Sequence, residues 1–425
     1  MKEKLQRSDP ICLPRSNRRL NRFFDRSAQS RCRKNTMTLS QLSMARILVA
    51  IAVMTVTFNV VLVYHHLPEA DYQKNTHSGV RSDEAYAQTP RKTDSKAAQI
   101  GDEKSVIDWM TEVAGLDLSP EMKKNLPTWS QVREVVGTGP VILGLDSCPR
   151  FRELVPPLER MLGSSGMFNT GTNLVTHLLK QNCEIPERRQ KSGPNQSKES
   201  YGMRWQVPWG KHTPVKFRKL HSTKKAADIR KEYILPVVTI RHPYSWFGSM
   251  CKNGYTARWD HRRTNKKGDG KPKNCPNLKH GDTAWNPVTV TYAEEREDHH
   301  LSLAHLWNDW YAYYLDMGKR GEGDDFPFLV VRMEDIVFYP KETIYKVCEC
   351  AGGKIREDQP FHLITDSAKG DSPGHDVSTG TYEAWVKYSL PNTKDRYAFS
   401  EADYKHSVTA LNKTLMESLG YKHPL

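Results

Sequence analysis

Eighteen consecutive residues without a charge, Ile47 to Tyr64 (ILVAIAVMTVTFNVVLVY), divide this chain into parts suited to different surroundings. As a helix the segment spans about 27 Å, enough for the hydrocarbon core of a bilayer. Residues 1–46 before it carry 12 Lys/Arg against Glu3, Asp9 and Asp25, a net +9 of the chain's +14. The overall basicity is therefore mostly a property of this tail and is no sign of a nucleic-acid partner. No small-residue cleavage pattern follows the segment; His65, His66 and Leu67 do. With its basic flank held in the cytoplasm, the pattern predicts a basic cytoplasmic tail (1–46), an uncleaved transmembrane signal anchor (47–66) and the rest of the chain in a lumen.

Beyond the anchor, residues 67–100 are polar, mixed in charge and poor in aliphatics, as expected of a stem. The stem is drawn to residue 135 and the folded domain from 136 to 425. A short helix over 102–116, with Val106, Met110 and Val113 on one face, fits either the stem or an outlying piece of the domain. Cys12 and Cys32 fall in the tail; Cys148, Cys183, Cys251, Cys275, Cys348 and Cys350 remain for an oxidising compartment that permits disulfides. Cys251 and Cys275 bracket a polar insertion and are the favoured pair. Sequons at Asn195 and Asn412 agree weakly with a luminal location.

Three apolar runs read as buried parallel strands: around Met161–Met167, Leu235–Ile240 and Phe328–Val331. Helical patterns lie between them. Leu174/Leu178 and Val175/Leu179 pair at i,i+4, Leu301–Met317 is long and amphipathic, and Lys341–Ala351 follows Pro340, which suits a helix start. Strand, loop and helix in repetition predict an α/β domain with a parallel sheet flanked by helices.

Two elements carry chemistry. In MFNTGTNL (167–174), Gly171 lets a backbone approach a phosphate, and the helix start behind it presents N–H groups to an anion; Thr170 and Thr172 add hydroxyls. The lysine of a nucleotide-hydrolysing P-loop is absent, so ATP or GTP hydrolysis is disfavoured. The loop reads equally well as a helix cap built from Asn169, Thr170 or Thr172. In VVTIRHPYSWFGS (237–249) a strand ends at Arg241, and Ser249 follows eight residues later. Together they can offer a forked charge and a hydroxyl to one phosphate. Between the two elements lies Trp209-Gly210-Lys211-His212-Thr213.

The order and character of these elements resemble the sulfotransferase family, whose donor is 3'-phosphoadenosine 5'-phosphosulfate (PAPS). In that family a loop like 169–173 holds the 5'-phosphosulfate, and a strand-terminal arginine with a serine eight residues on holds the 3'-phosphate. The resemblance thus assigns Asn169, Thr170, Gly171, Thr172 and Asn173 to the first role, and Arg241 and Ser249 to the second. His212 matches the histidine that in many members deprotonates the acceptor hydroxyl, with Lys211 beside it as a catalytic partner. VVRMEDIVFYP (330–340) is similar to the family's Arg-Tyr-Glu-Asp-Leu segment, and Lys369-Gly370 corresponds loosely to the basic loop over the nucleotide. The resemblance covers roughly residues 160–350. It implies a P-loop-type fold, a PAPS-dependent transferase acting on a carbohydrate or glycoconjugate, no metal, and a Golgi membrane protein with a luminal catalytic domain. One departure stands out: the family usually has Lys or Arg where this chain has Asn169, so Lys211 or Arg204 must supply the charge, the donor differs, or catalysis is impaired.

Other readings stay open. His299, His300 and His305 cluster with Glu294, Glu295, Glu297 and Asp298, but their spacing suits a solvated acidic helix start better than a metal site. No Asp-x-Asp pair occurs, which removes the usual cue for a metal-dependent nucleotide-sugar transferase. The basic insertion from Arg258 to Lys279 fits a surface loop or a clamp for an acidic polymer. A Golgi glycosyltransferase, and a membrane-anchored carbohydrate-binding protein without catalysis, are the rival functions.

Overall fold

The computed structural model describes residues 105–425 apart from 194–195, 198, 220–228, 262–274, 281–283, 316–325, 367, 369–379 and 398. The tail, the apolar segment, the stem to residue 104, Asn195, most of the basic insertion and Lys369 lie outside the described residues. Among the described residues no helix is long and apolar enough to cross a membrane.

The elements that build the site run in this order: α1 (Trp129–Val136), β1 (Ile142–Leu143), α2 (Cys148–Leu154), β2 (Met161–Gly166), α3 (Thr172–Asn182) and β3 (Met203–Arg204). Then come β4 (Ile234–Ile240), α4 (Pro243–Lys252), α5 (Leu303–Leu315), β5 (Leu329–Arg332), α6 (Met333–Phe338), α7 (Pro340–Cys350) and α8 (Thr381–Tyr388). The sheet order is β1-β5-β4-β2-β3; only β1 is antiparallel to its neighbour. The three apolar runs are β2, β4 and β5, and the domain is an α/β fold with a parallel sheet between helices.

Why β4 reads as an unbroken apolar run is visible in its packing. Leu235 and Val237 face Val175 and Leu179 of α3 and Ile344 and Val347 of α7. Ile234, Val238 and Ile240 face Trp307, Trp310 and Tyr311 of α5. Successive side chains alternate between two covered faces, and the one polar residue, Thr239, is buried with its hydroxyl bonded to Ser165 O and Thr170 Oγ1. Disulfides Cys148–Cys350 and Cys183–Cys348 fasten α7 to α2 and to the end of α3, and Cys251–Cys275 closes the insertion as favoured from its brackets.

Two expectations are corrected. Residues 105–135 are not stem: Val106, Met110, Leu118 and Val132 pack with Val337, Phe338 and Trp385, and Trp109 stacks on Trp385 at 4.8 Å. The short helix near 102–116 is therefore an outlying piece of the domain. Residues Glu297–His300 form a strand against Val288–Thr291, not a solvated helix start. There His300, buried, lies between Asp298 (3.4 Å) and Asp309 (2.7 Å), and Lys216 joins Asp298 at 2.6 Å.

Candidate active site

Strands β2 and β4 end side by side, Gly166 opposite Thr239, and in open parallel sheets the crevice beyond such ends is where ligands bind. The chain leaves β2 through a turn that only particular residues permit. Gly166 has φ 149°, and a Cβ there would lie 2.3 Å from Thr239 Oγ1 and 2.8 Å from Thr239 O. Asn169 takes φ 62°, a left-handed conformation that asparagine tolerates well. Gly171, at φ 87°, opens α3 without a side-chain cap. The first N–H groups of α3, from Thr172 onward, consequently point into the crevice with the positive end of the helix dipole behind them.

The sequence-expected residues of this loop do different things. The Thr170 hydroxyl is buried; it donates to Met167 O at 2.7 Å and meets Thr239 Oγ1 at 2.9 Å, so it braces the loop from inside. Asn169 donates through Nδ2 to Asn253 O (2.8 Å), tying the loop to the turn after α4. Asn173 Oδ1 accepts from Lys211 Nζ at 2.9 Å.

The 209–213 segment runs alongside the end of β2. Gly166 N donates to Lys211 O (2.9 Å), and His212 Nδ1 lies 2.7 Å from Gly166 O. A carbonyl only accepts, so Nδ1 carries the hydrogen; in the neutral form of such a ring the lone pair is on Nε2. Lys211 is 7 % exposed, with its ammonium 3.5 Å from the centre of the Trp205 ring and, among the described residues, no carboxylate in ion-pair range. Burial, reinforced by nearby Lys180, pushes its pKa down to about 7. His177 of α3 is likewise lowered by burial and then by Lys211 and Lys180, while the Ala368 backbone accepts from it. That contact brings the chain just ahead of Lys369 to this end of the site; Lys369 itself lies outside the described residues.

On the β4 side, Arg241 is 3 % exposed. It donates through Nε and Nη2 to Ser245 Oγ (3.1 and 2.7 Å) and through Nη1 to Asn169 O (3.0 Å). Among the described residues three of its five N–H donors are thereby used and two remain. Tyr388 of α8 covers the guanidinium at 5.1 Å. The next residue back, Lys387, is pushed down to about 7 by burial, with Arg241, Lys252 and Arg396 adding like-charge repulsion. Ser249 is half-buried one turn beyond Ser245 on the same face of α4; Ser245, not Ser249, receives the arginine.

Helix α5 fixes the backbone around both halves. Trp307 Nε1 donates to Arg241 O (3.1 Å), Trp310 Nε1 to His212 O (3.1 Å) and Tyr311 OH to Thr239 O (3.0 Å). Hydrogen bonds from Lys211 to Asn173, His212 to Gly166 and Arg241 to Asn169 thus bring Asn169, Gly171, Thr172, Asn173, Lys211, His212 and Arg241 together at the ends of β2 and β4. Sequence reasoning missed Ser245, Trp205, Tyr255, Lys387 and Tyr388. Ser245 alone had a local signal, lying four residues after Arg241. No family model, curated protein or solved structure matches this chain.

Proposed function

We propose that this protein transfers a sulfuryl group from PAPS to a hydroxyl or amine of a carbohydrate, as the sulfotransferase family it resembles does. One observation carries the reading. Lys211 and Arg241, both buried and neither ion-paired among the described residues, flank the ends of adjacent parallel strands. An unpaired buried cation is costly, and two of them favour a ligand that brings anionic groups to two separate points. A nucleotide with a 5'-phosphosulfate and a 3'-phosphate has that form.

In this reading the N–H groups of Gly171, Thr172 and Asn173, with Lys211, hold the 5'-phosphosulfate, and Arg241 with Ser249 holds the 3'-phosphate. His212 Nε2 takes the proton of the acceptor hydroxyl as its oxygen bonds to sulfur. The sulfur–oxygen bond to the 5'-phosphate breaks in line, and Lys211 stabilises the charge gathering on that leaving oxygen. Lys211 then supplies the charge that Asn169 does not. The basic tail, the apolar segment 47–64 and three disulfides support a Golgi-type anchor with the domain in the lumen.

A thermal-shift comparison tests the reading on the full chain. Melting should rise with 3'-phosphoadenosine 5'-phosphate and hardly at all with ADP or UDP, since a ligand stabilises only the state it binds. A shift with UDP alone would favour a glycosyltransferase, and no shift with any nucleotide would remove the donor assignment.

A further inference from the structure

We infer that the ring of Tyr255 is the platform on which a pyranose ring of the acceptor seats, beside His212. The inference rests on the transfer reaction proposed above and concerns its other substrate.

Tyr255 is a large aromatic residue held where an aromatic residue is conformationally disfavoured. Its φ is 51°, the left-handed region that bulky side chains seldom enter, and it is 42 % exposed. Two contacts among those with described residues hold it there. Its N–H donates to Asn253 Oδ1 at 3.2 Å, and its ring lies nearly parallel to Phe168, 13° between planes and 5.0 Å between centres. Phe168 belongs to the anion-binding loop itself and also meets the His212 ring at 4.8 Å; the Tyr255 and His212 rings are 6.4 Å apart. The phenol is therefore solvent-accessible, one ring removed from the loop and next to the group assigned to take the acceptor's proton.

The choice of acceptor chemistry follows from the ring. An aromatic face is electron-rich, and the axial C–H bonds of a pyranose present a flat, weakly positive surface that matches it, while the sugar hydroxyls point outward along the rim. A hydroxyl at that rim would lie toward His212. The same geometry accounts for Asn169. Its Nδ2 bond to Asn253 O fastens the anion-binding loop to the 253–255 turn, so the residue that departs from the family's basic pattern holds the platform in register with the phosphate end. In this chain the loop position serves the acceptor, and the charge comes from Lys211.

The test uses the full chain saturated with 3'-phosphoadenosine 5'-phosphate and probed with N-acetyllactosamine, unsulfated chondroitin tetrasaccharide and heparosan tetrasaccharide, with sorbitol as an open-chain control. Saturation-transfer NMR should show one face of a pyranose ring receiving magnetisation, and sorbitol none. Tyr255→Ala should weaken the bound sugar about tenfold and Tyr255→Phe by no more than about twofold, with nucleotide affinity unchanged in both. Tyr255→Asn should lose the sugar equally while melting no lower than the parent chain, because asparagine is at ease at positive φ. That combination separates a platform from a side chain needed only for packing. Sugar affinity surviving Tyr255→Ala would overturn the inference. So would binding of a tyrosine-containing acidic peptide, and of none of the three sugars, in a Tyr255-dependent way. In either case the nucleotide would still bind and the transferase reading would stand. Failure of the parent chain to bind the nucleotide would instead remove the reading on which the inference rests.

Discussion

Arg241 Nη1 donates to the backbone carbonyl of Asn169 across 3.0 Å, joining the end of one strand to the loop that follows its neighbour. The two elements proposed to hold phosphate are therefore mechanically one. Truncation of Arg241 loosens the first loop as well as removing a charge.

This coupling shapes the first prediction. Arg241→Ala should weaken binding of 3'-phosphoadenosine 5'-phosphate by about 2–5 kcal/mol, the usual range for removing one partner of a buried charge contact. Adenosine 5'-monophosphate should weaken too, because the loop relaxes. Ser249→Ala, which leaves the Arg241–Asn169 contact intact, should cost the bisphosphate only about 0.5–1.5 kcal/mol and the monophosphate nothing. Titration calorimetry with both nucleotides decides. Equal losses for the two in Ser249→Ala would mean that Ser249 does not read the 3'-phosphate.

Protonation gives the second. Lys211 and Lys387 both titrate near pH 7 because burial disfavours their charge. An anion beside either one favours the charged form and raises its pKa again. Nucleotide binding should accordingly take up protons around pH 8, and affinity should fall as pH rises from about 7. The sign for stability runs the other way. The unfolded lysines keep their protons to higher pH, so the ligand-free chain gains stability between about pH 7 and the ordinary lysine range. Calorimetry in buffers of different ionisation enthalpy measures the uptake, and Lys211→Gln and Lys387→Gln should each reduce it. Proton release on binding would contradict the assignment of Lys211 and show that Lys387 does not lie beside the bound anion.

Catalysis supplies the third. His212→Ala should lower turnover by about 10²–10⁴-fold with nucleotide affinity near that of the parent, since its ring is assigned to the acceptor's proton. Lys211→Ala should reduce both turnover and donor affinity. Full turnover by His212→Ala across the pH range would move the base elsewhere, and Glu199, 3.1 Å from Lys180 at the same end of the crevice, is the next residue to substitute.

The fourth concerns the segment outside the described residues. Protease added to sealed microsomes should remove only the basic tail ahead of Ile47 and leave the domain whole. Digestion of the domain in intact vesicles would reverse the proposed orientation.

Much of the framework was legible because it is local. Leu235 to Ile240 reads as a strand covered on both faces, and the following Arg241-His242-Pro243 marks where it must stop. The turn at Gly171 and the strand end at Arg241, both marked in the sequence, lie side by side, joined by Arg241 Nη1 to Asn169 O. What was illegible depends on distant pairing. Nothing near Trp205 in sequence says that Lys211 will lie on its ring, and nothing near Lys387 says that its neighbour will cover Arg241. The stem boundary failed for the same reason: Val106 and Met110 look like a weak, isolated helix until Trp385, far along the chain, supplies the other half of their core.

The clearance at Gly166 bears on how such a chain can change over generations. A methyl group there would collide with Thr239 Oγ1, with the main-chain oxygen behind it and with Thr170 Oγ1, so shrinking residue 239 would relieve only one conflict of three. Asn169, three positions on, needs only a residue at ease at positive φ with something to offer Asn253. Descendant sequences should therefore drift at 169, trading acceptor preference as they do, while 166 stays glycine in every copy that keeps the crevice. Sequencing survivors of a saturated library across 166–173, selected for nucleotide binding, would expose that contrast directly.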